Sequence, residues 1–152
     1  MIKKKVKHIP EGSSELQEKF INCMMSRGKK SISRKIFTET MKILKDKGKS
    51  NPVTVFEKAL DNVKPNMEVR AKRVGGSVYQ IPVEVNPKRQ MALSIRWILM
   101  ACNSKKGSSM PEKLAQELID ASNETGMAYK KREDAHRMAS ANKAFAHFAR
   151  FK

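Results

Sequence analysis

Apolar residues recur at helical spacing along most of this chain and turn to strict alternation only near its middle. Ser13 or Ser14 can cap a first helix, in which Leu16, Phe20 and Met24 share one face and which runs to about Met25. Arg27-Gly28-Lys29-Lys30 interrupts the pattern. Ile32, Ile36, Thr40 and Ile43 or Leu44 then mark an apolar stripe on a second helix ending near Asp46. Beyond a polar loop at 46–51, Pro52 fits the first turn of a short helix through Val55, Phe56, Ala59 and Leu60, which Pro65 ends.

The alternating stretch is EVRAKRVGGSVYQIPVEV, residues 68–85. Two strand-like runs flank Val74-Gly75-Gly76-Ser77, and the glycine pair supplies the positive φ values of a tight hairpin turn. In the first run Arg70 and Lys72 alternate with Met67, Val69 and Ala71; in the second, Tyr79, Ile81, Val83 and Val85 share a face. Because successive strand residues point to opposite sides, this predicts one basic and one apolar face on the ribbon. A lone hairpin is marginal in water. Its apolar face is therefore expected to rest on a helical body while the basic side and tip reach a partner.

Asn86-Pro87 marks the return to helix. Met91, Ile95, Ile98 and Cys102 form one stripe, but Ala92, Leu93, Trp97 and Leu99 make the segment apolar almost all round, the signature of a helix at the centre of a core. A loop at 103–109 carries Lys105, Lys106 and Gly107. Pro111 starts an amphipathic helix with Leu114, Leu118 and Ala121 inward, and Gly126 separates it from a last helix buried through Ala135, Met138, Ala139, Phe145 and Ala149. No repeat or low-complexity segment interrupts this order. The fold class expected is mainly α: a compact bundle of about six helices with one extended two-stranded β-ribbon at about 67–85. Residues 1–12 read as a basic flexible arm and 13–152 as a single helical domain.

Charge changes the picture most. The 152 residues hold 32 Lys plus Arg against 15 Asp plus Glu, a formal net charge of +17, which exceeds what solubility requires and attracts polyanions. Lys3, Lys4, Lys5 and Lys7 precede the first acid, Glu11, and no acid lies between Glu84 and Glu112. Such an arm orders on binding. Cys23 and Cys102 form no CxxC or Cys/His cluster and read as small core residues, as expected in a reducing compartment. The N-terminus lacks the apolar run of a secretory signal, and the most hydrophobic segment, 91–102, is too short to span a bilayer.

Catalytic chemistry is thin. His136 and His147 lie roughly 16 Å apart along a helix and cannot chelate one metal. Glu133 and Asp134 are adjacent and do not face each other, and Glu133 is spaced to pair with Arg137. No nucleophile–base pattern stands out, and Gly75-Gly76 lacks the spacing of a phosphate-binding loop. The ten methionines read as core filler. An enzyme, a metal and a cofactor are all unexpected.

Three basic clusters fit a nucleic acid. The first is Arg27, Lys29, Lys30, Arg34 and Lys35; the second Arg70, Lys72 and Arg73 with Lys88 and Arg89; the third Lys130, Lys131 and Arg132 followed by Arg137, Asn142 and Lys143. Any one alone could be a solvated face; three with a basic arm argue for a nucleic-acid surface. Tyr79 is the only ribbon aromatic, so contact through phosphates and shape is expected rather than base stacking.

At this point the chain resembles a known family, protein seven of the small ribosomal subunit in its bacterial and organellar form. The resemblance rests on FINCMMSRGKKSISRKIF (20–37), on Asn62-Val63-Lys64-Pro65 through EVRAKRVGGSVYQIPVEV, and on KKREDAHRMASANKAFAHF (130–148). It implies a primary binder of small-subunit rRNA that nucleates head assembly from the 3′ major domain, on a bacterial (cytoplasmic) or organellar ribosome. It implies rRNA-facing positions in the arm (Lys3, Lys4, Lys5, Lys7), at Lys29, Lys30, Arg34 and Lys35, and at Arg70, Lys72 and Arg73. The cluster residues Arg27, Lys88, Arg89, Arg137 and Lys143 complete the candidate rRNA set. Exit-site tRNA and mRNA would lie near the Gly75-Gly76 tip and Lys130, Lys131 and Arg132. Protein eleven of the small subunit is the implied protein neighbour; no membrane and no homo-oligomer is implied. The chain departs from the family in its short Lys-rich arm, in Ala71 where many members carry Pro, and in its Phe-Ala-Arg-Phe-Lys end. The alternative from the ribbon alone is an architectural DNA-binding protein, although a Gly-Gly-Ser tip lacks the apolar wedge of such proteins.

Overall fold

The computed structural model describes residues 9–150, so Lys3, Lys4, Lys5 and Lys7 lie outside the described residues. Ser14 starts α1 (Glu15–Met24) with a reciprocal cap: its hydroxyl accepts the Gln17 N–H at 3.2 Å while the Gln17 side chain accepts the Ser14 N–H at 3.2 Å. After a turn with Arg27 at positive φ come α2 (Lys30–Asp46) and α3 (Pro52–Val63), the latter capped by the Asn51 side chain. The ribbon follows as β1 (Met67–Val74) and β2 (Ser77–Glu84), then α4 (Pro87–Ser104), α5 (Met110–Ser122), α6 (Gly126–Ala141) and a 3₁₀ segment, Lys143–Arg150. The mainly helical fold with one antiparallel β-ribbon is as expected.

Phe20, Phe37 and Phe56, from three different helices, meet with ring centroids 5.2 to 5.9 Å apart and fill one end of the core. α5 packs against α2, α3, α4 and α6 and buries Leu114, Ala115, Leu118 and Ala121 completely. It is therefore as central as α4, which leaves Ala92, Arg96 and Met100 exposed despite its apolar composition. None of the described helices is long and apolar enough to cross a membrane.

Several expectations need correction. On α2 the buried face is Ser33, Phe37, Thr40 and Leu44, and Ile32 is half exposed, because the helix turns its aromatic to the Phe20–Phe56 pair rather than its isoleucines. Cys23 is exposed; only Cys102 belongs to the core. Met138 is exposed, and α6 stops at Ala141, where Asn142 turns its amide back to the Met138 carbonyl and a 3₁₀ segment takes over. Arg137 pairs with Asp134, not Glu133.

The ribbon departs from its expected two faces for a geometric reason. Gly75 and Gly76 have φ of 57° and 88° and form the two-residue turn, with Val74 paired to Ser77. That register sets Arg70 opposite Ile81 and Lys72 opposite Tyr79. Directly opposed residues of an antiparallel pair share a face, so the basic positions of β1 and the apolar positions of β2 lie together rather than on opposite sides.

Candidate nucleic-acid interface

The first cluster is built around a carboxylate. The Glu18 side chain on α1 is only 8% exposed, yet Lys30 Nζ lies 3.1 Å and an Arg34 terminal nitrogen 3.0 Å from its Oε2, while Ser13 donates to Oε1 at 3.1 Å. Burial would push this carboxyl up, but hydrogen bonds from Lys30 and Ser13 and the nearby cations outweigh it and hold it below the usual carboxylate range. Arg27, Lys29 and Lys35 are exposed around this pair. Lys30, Arg34, Lys35 and Lys42 line an open groove along α2. Lys30 and Arg34 are one turn apart and Lys35 and Lys42 two turns apart, so the four fall along one side of the helix.

The second cluster has the same construction. Glu68 on β1 has a side chain 12% exposed; its Oε1 accepts from Arg70 Nε at 2.7 Å, and both oxygens accept from Arg89 Nε at 2.9 and 2.8 Å. A terminal nitrogen of Arg89, in the first turn of α4, adds a 2.7 Å contact. Here too burial opposes and the two arginines prevail, so the carboxyl stays below its ordinary range. Lys72 donates to the Phe148 carbonyl at 3.2 Å, which ties it to the 3₁₀ segment rather than leaving it wholly outward. Arg73, Lys88 and the tip glycines Gly75 and Gly76 are exposed, with Val78 beside them 64% exposed.

In the third cluster Lys130 and Lys131 are exposed, whereas Arg132 is partly buried with its guanidinium 5.1 Å from the Tyr129 ring centroid. Arg137 is exposed and ion-paired to Asp134. The ribbon brings this helix to the second cluster. The Asn66 N–H donates to His136 Nε2 at 2.9 Å, and Lys143 lines a groove with Met67, Pro82 and His136. Tyr79 packs on Phe145 and Phe148, with centroids 5.3 and 5.0 Å away. α6, which carries the third cluster, thus packs against the base of the ribbon that carries the second, and the first cluster lies on α1 and α2.

Of the two cysteines, Cys102 is the buried one. Burial, reinforced by the Glu117 charge, pushes the Cys102 thiol up to about 12, so it is inert at neutral pH. Among the described residues no group of three or more His, Cys, Asp or Glu is placed to hold a metal.

The model of the family described as "Ribosomal protein S7p/S5e" matches residues 1–143. The chain belongs to that family. Small ribosomal subunit protein uS7 of Petrotoga mobilis is 55% identical over 133 residues, 88% of this chain and 86% of the relative. The uS7 of Desulfovibrio desulfuricans is 52% identical over 146 residues, covering 96% and 94%, and that of Dictyoglomus turgidum 52% over 139 residues, covering 91% and 89%. Family membership gives the basic clusters a setting, but two parts of these clusters escaped sequence reasoning: Glu18 and Glu68, the acids on which the basic pairs are mounted. The two-residue spacing of Glu68 and Arg70 on one strand face was a usable signal. Nothing local signalled the Glu18 pairs or Arg89, whose partner is 21 residues away.

Proposed function

We propose that this chain is a primary binder of small-subunit rRNA that organises the 3′ major domain during head assembly and lies near exit-site tRNA and mRNA. The coarser part of this reading follows from the family: the chain is a structural, non-enzymatic constituent of the small ribosomal subunit. The bacterial relatives fit a bacterial ribosome in the cytoplasm.

The observation that carries the finer part is a net charge of +17 gathered into exposed clusters on a fold of this family. Each guanidinium or ammonium that replaces a counterion on phosphate adds salt-dependent affinity without base readout. In this proposal the arm residues Lys3, Lys4, Lys5 and Lys7 and the α1–α2 cluster grip rRNA at one site. Arg70, Arg73, Lys88 and Arg89 grip it at a second, so that two rRNA elements are held at a spacing set by the rigid helical body. Lys130, Lys131 and Arg132 with the Gly75-Gly76 tip face the tRNA and mRNA. Protein eleven of the small subunit is the proposed neighbour.

The test is competition at fixed near-physiological salt between a 3′ major domain transcript and duplex DNA of equal phosphate number. A preference for the transcript of about a hundredfold or more marks specific recognition. Equal affinity overturns the reading and moves the architectural DNA-binding alternative to the front.

A further inference from the structure

Glu18 and Glu68 sit where a surface for a polyanion has least use for negative charge. Each cancels part of the field that would draw phosphate in, and ion pairs to partly exposed cations add little to stability. Yet both are largely buried, and each holds two cations, at least one of them from another element: Glu18 on α1 holds Lys30 and Arg34 of α2, and Glu68 on β1 holds Arg70 of its own strand and Arg89 of α4. The contacts also leave donors over. Arg70 is engaged through Nε, and Arg89 through Nε and one terminal nitrogen, while their side chains stay 59% and 45% exposed. A guanidinium has five N–H donors, so each arginine keeps N–H groups that can meet phosphate.

We propose that Glu18 and Glu68 are positioning residues for RNA binding, each clamping two basic side chains at one fixed spacing so that they meet phosphates already ordered. The inference rests on the RNA-binding reading above. Its physical basis is preorganisation. Without the carboxylate, Arg70 and Arg89 repel each other and spread over many rotamers, and that freedom must be given up on binding. With it, the ordering is done during folding, and the lost unit of charge is outweighed by geometry.

Net charge and positioning predict opposite signs for one substitution. Glu68→Gln keeps the shape, removes the negative charge and raises the net charge by one. Full-length wild type, Glu68→Gln, the double variant Arg70→Gln/Arg89→Gln and the triple combination are titrated against the 3′ major domain transcript and an unrelated RNA of equal length. Positioning predicts that Glu68→Gln weakens transcript binding roughly five- to tenfold, leaves or strengthens binding to the unrelated RNA, and has no further weakening effect in the double-variant background. Transcript affinity equal to or above wild type for Glu68→Gln overturns the proposal. So does the same fold loss in both backgrounds, which would mean Glu68 acts through the fold. If circular dichroism shows Glu68→Gln unfolded at the assay temperature, Glu18→Gln with Lys30→Gln/Arg34→Gln is judged by the same criteria. A wild type that does not prefer the transcript overturns the functional reading and this inference together. A wild type that does prefer it, with an unaffected Glu68→Gln, overturns this inference alone.

Discussion

Gly107 and Gly126 both hold φ at +91°, but only one of them has neighbours. A Cβ on Gly107 would meet nothing within 4 Å, whereas one on Gly126 would come 2.9 Å from Asp120 Cβ and 3.0 Å from Glu117 Oε1. Glu117 is fully buried, accepts the Ala128 N–H at 2.9 Å and faces Lys105 Nζ at 2.6 Å, so it anchors the start of α6 and has little room to retreat. Gly126→Ala is expected to lower stability by about 2–4 kcal/mol and Gly107→Ala by only about 1–2 kcal/mol, measured by urea denaturation. The difference isolates the contact from the backbone strain. At this scale the chain is half legible: its pattern marks Gly126 as a separator of helices, but the crowding there comes from α5 side chains that no local pattern places beside it.

One hydrogen bond at the ribbon base has a pH signature. His136 Nε2 accepts the Asn66 N–H and so must be unprotonated, with the proton of the neutral ring on Nδ1. Burial, with the Arg132 charge added, holds the His136 pKa below its ordinary value of 6.5. A depressed folded-state pKa means the unfolded chain binds the proton more readily. This contribution is therefore complete above the unfolded value and is lost as pH falls through the folded one. Lowering the pH from about 7 to about 5 should cost the wild type more stability than His136→Gln, read as the difference in urea midpoints at the two values. An equal loss in both proteins would remove His136 from the docking of ribbon to helix. The ribbon's existence, turn and glycine pair were legible from alternation alone. Its faces are not legible from either strand's pattern alone, because the two-residue turn pairs Val74 with Ser77 and so sets every even position of β1 against an odd position of β2.

Across the whole molecule the formal charge of +17 dominates any encounter with RNA, and the body on which it is mounted is helical. Replacing Arg70, Lys72 and Arg73 together with Ala should lower affinity for the transcript and flatten the log–log salt dependence by about two units, with the helical circular dichroism unchanged. Unchanged binding would take the ribbon out of the mechanism. Composition, helical period, turn chemistry and the three family blocks were enough to determine the helical class, the single ribbon, the attraction to a polyanion and the family. Those properties are local or additive along the chain. Tertiary structure alone decided which basic residues are presented together. Glu18 reaches Arg34 across 16 residues and Glu68 reaches Arg89 across 21, distances closed only by how helices and ribbon pack, which no spacing in the sequence encodes.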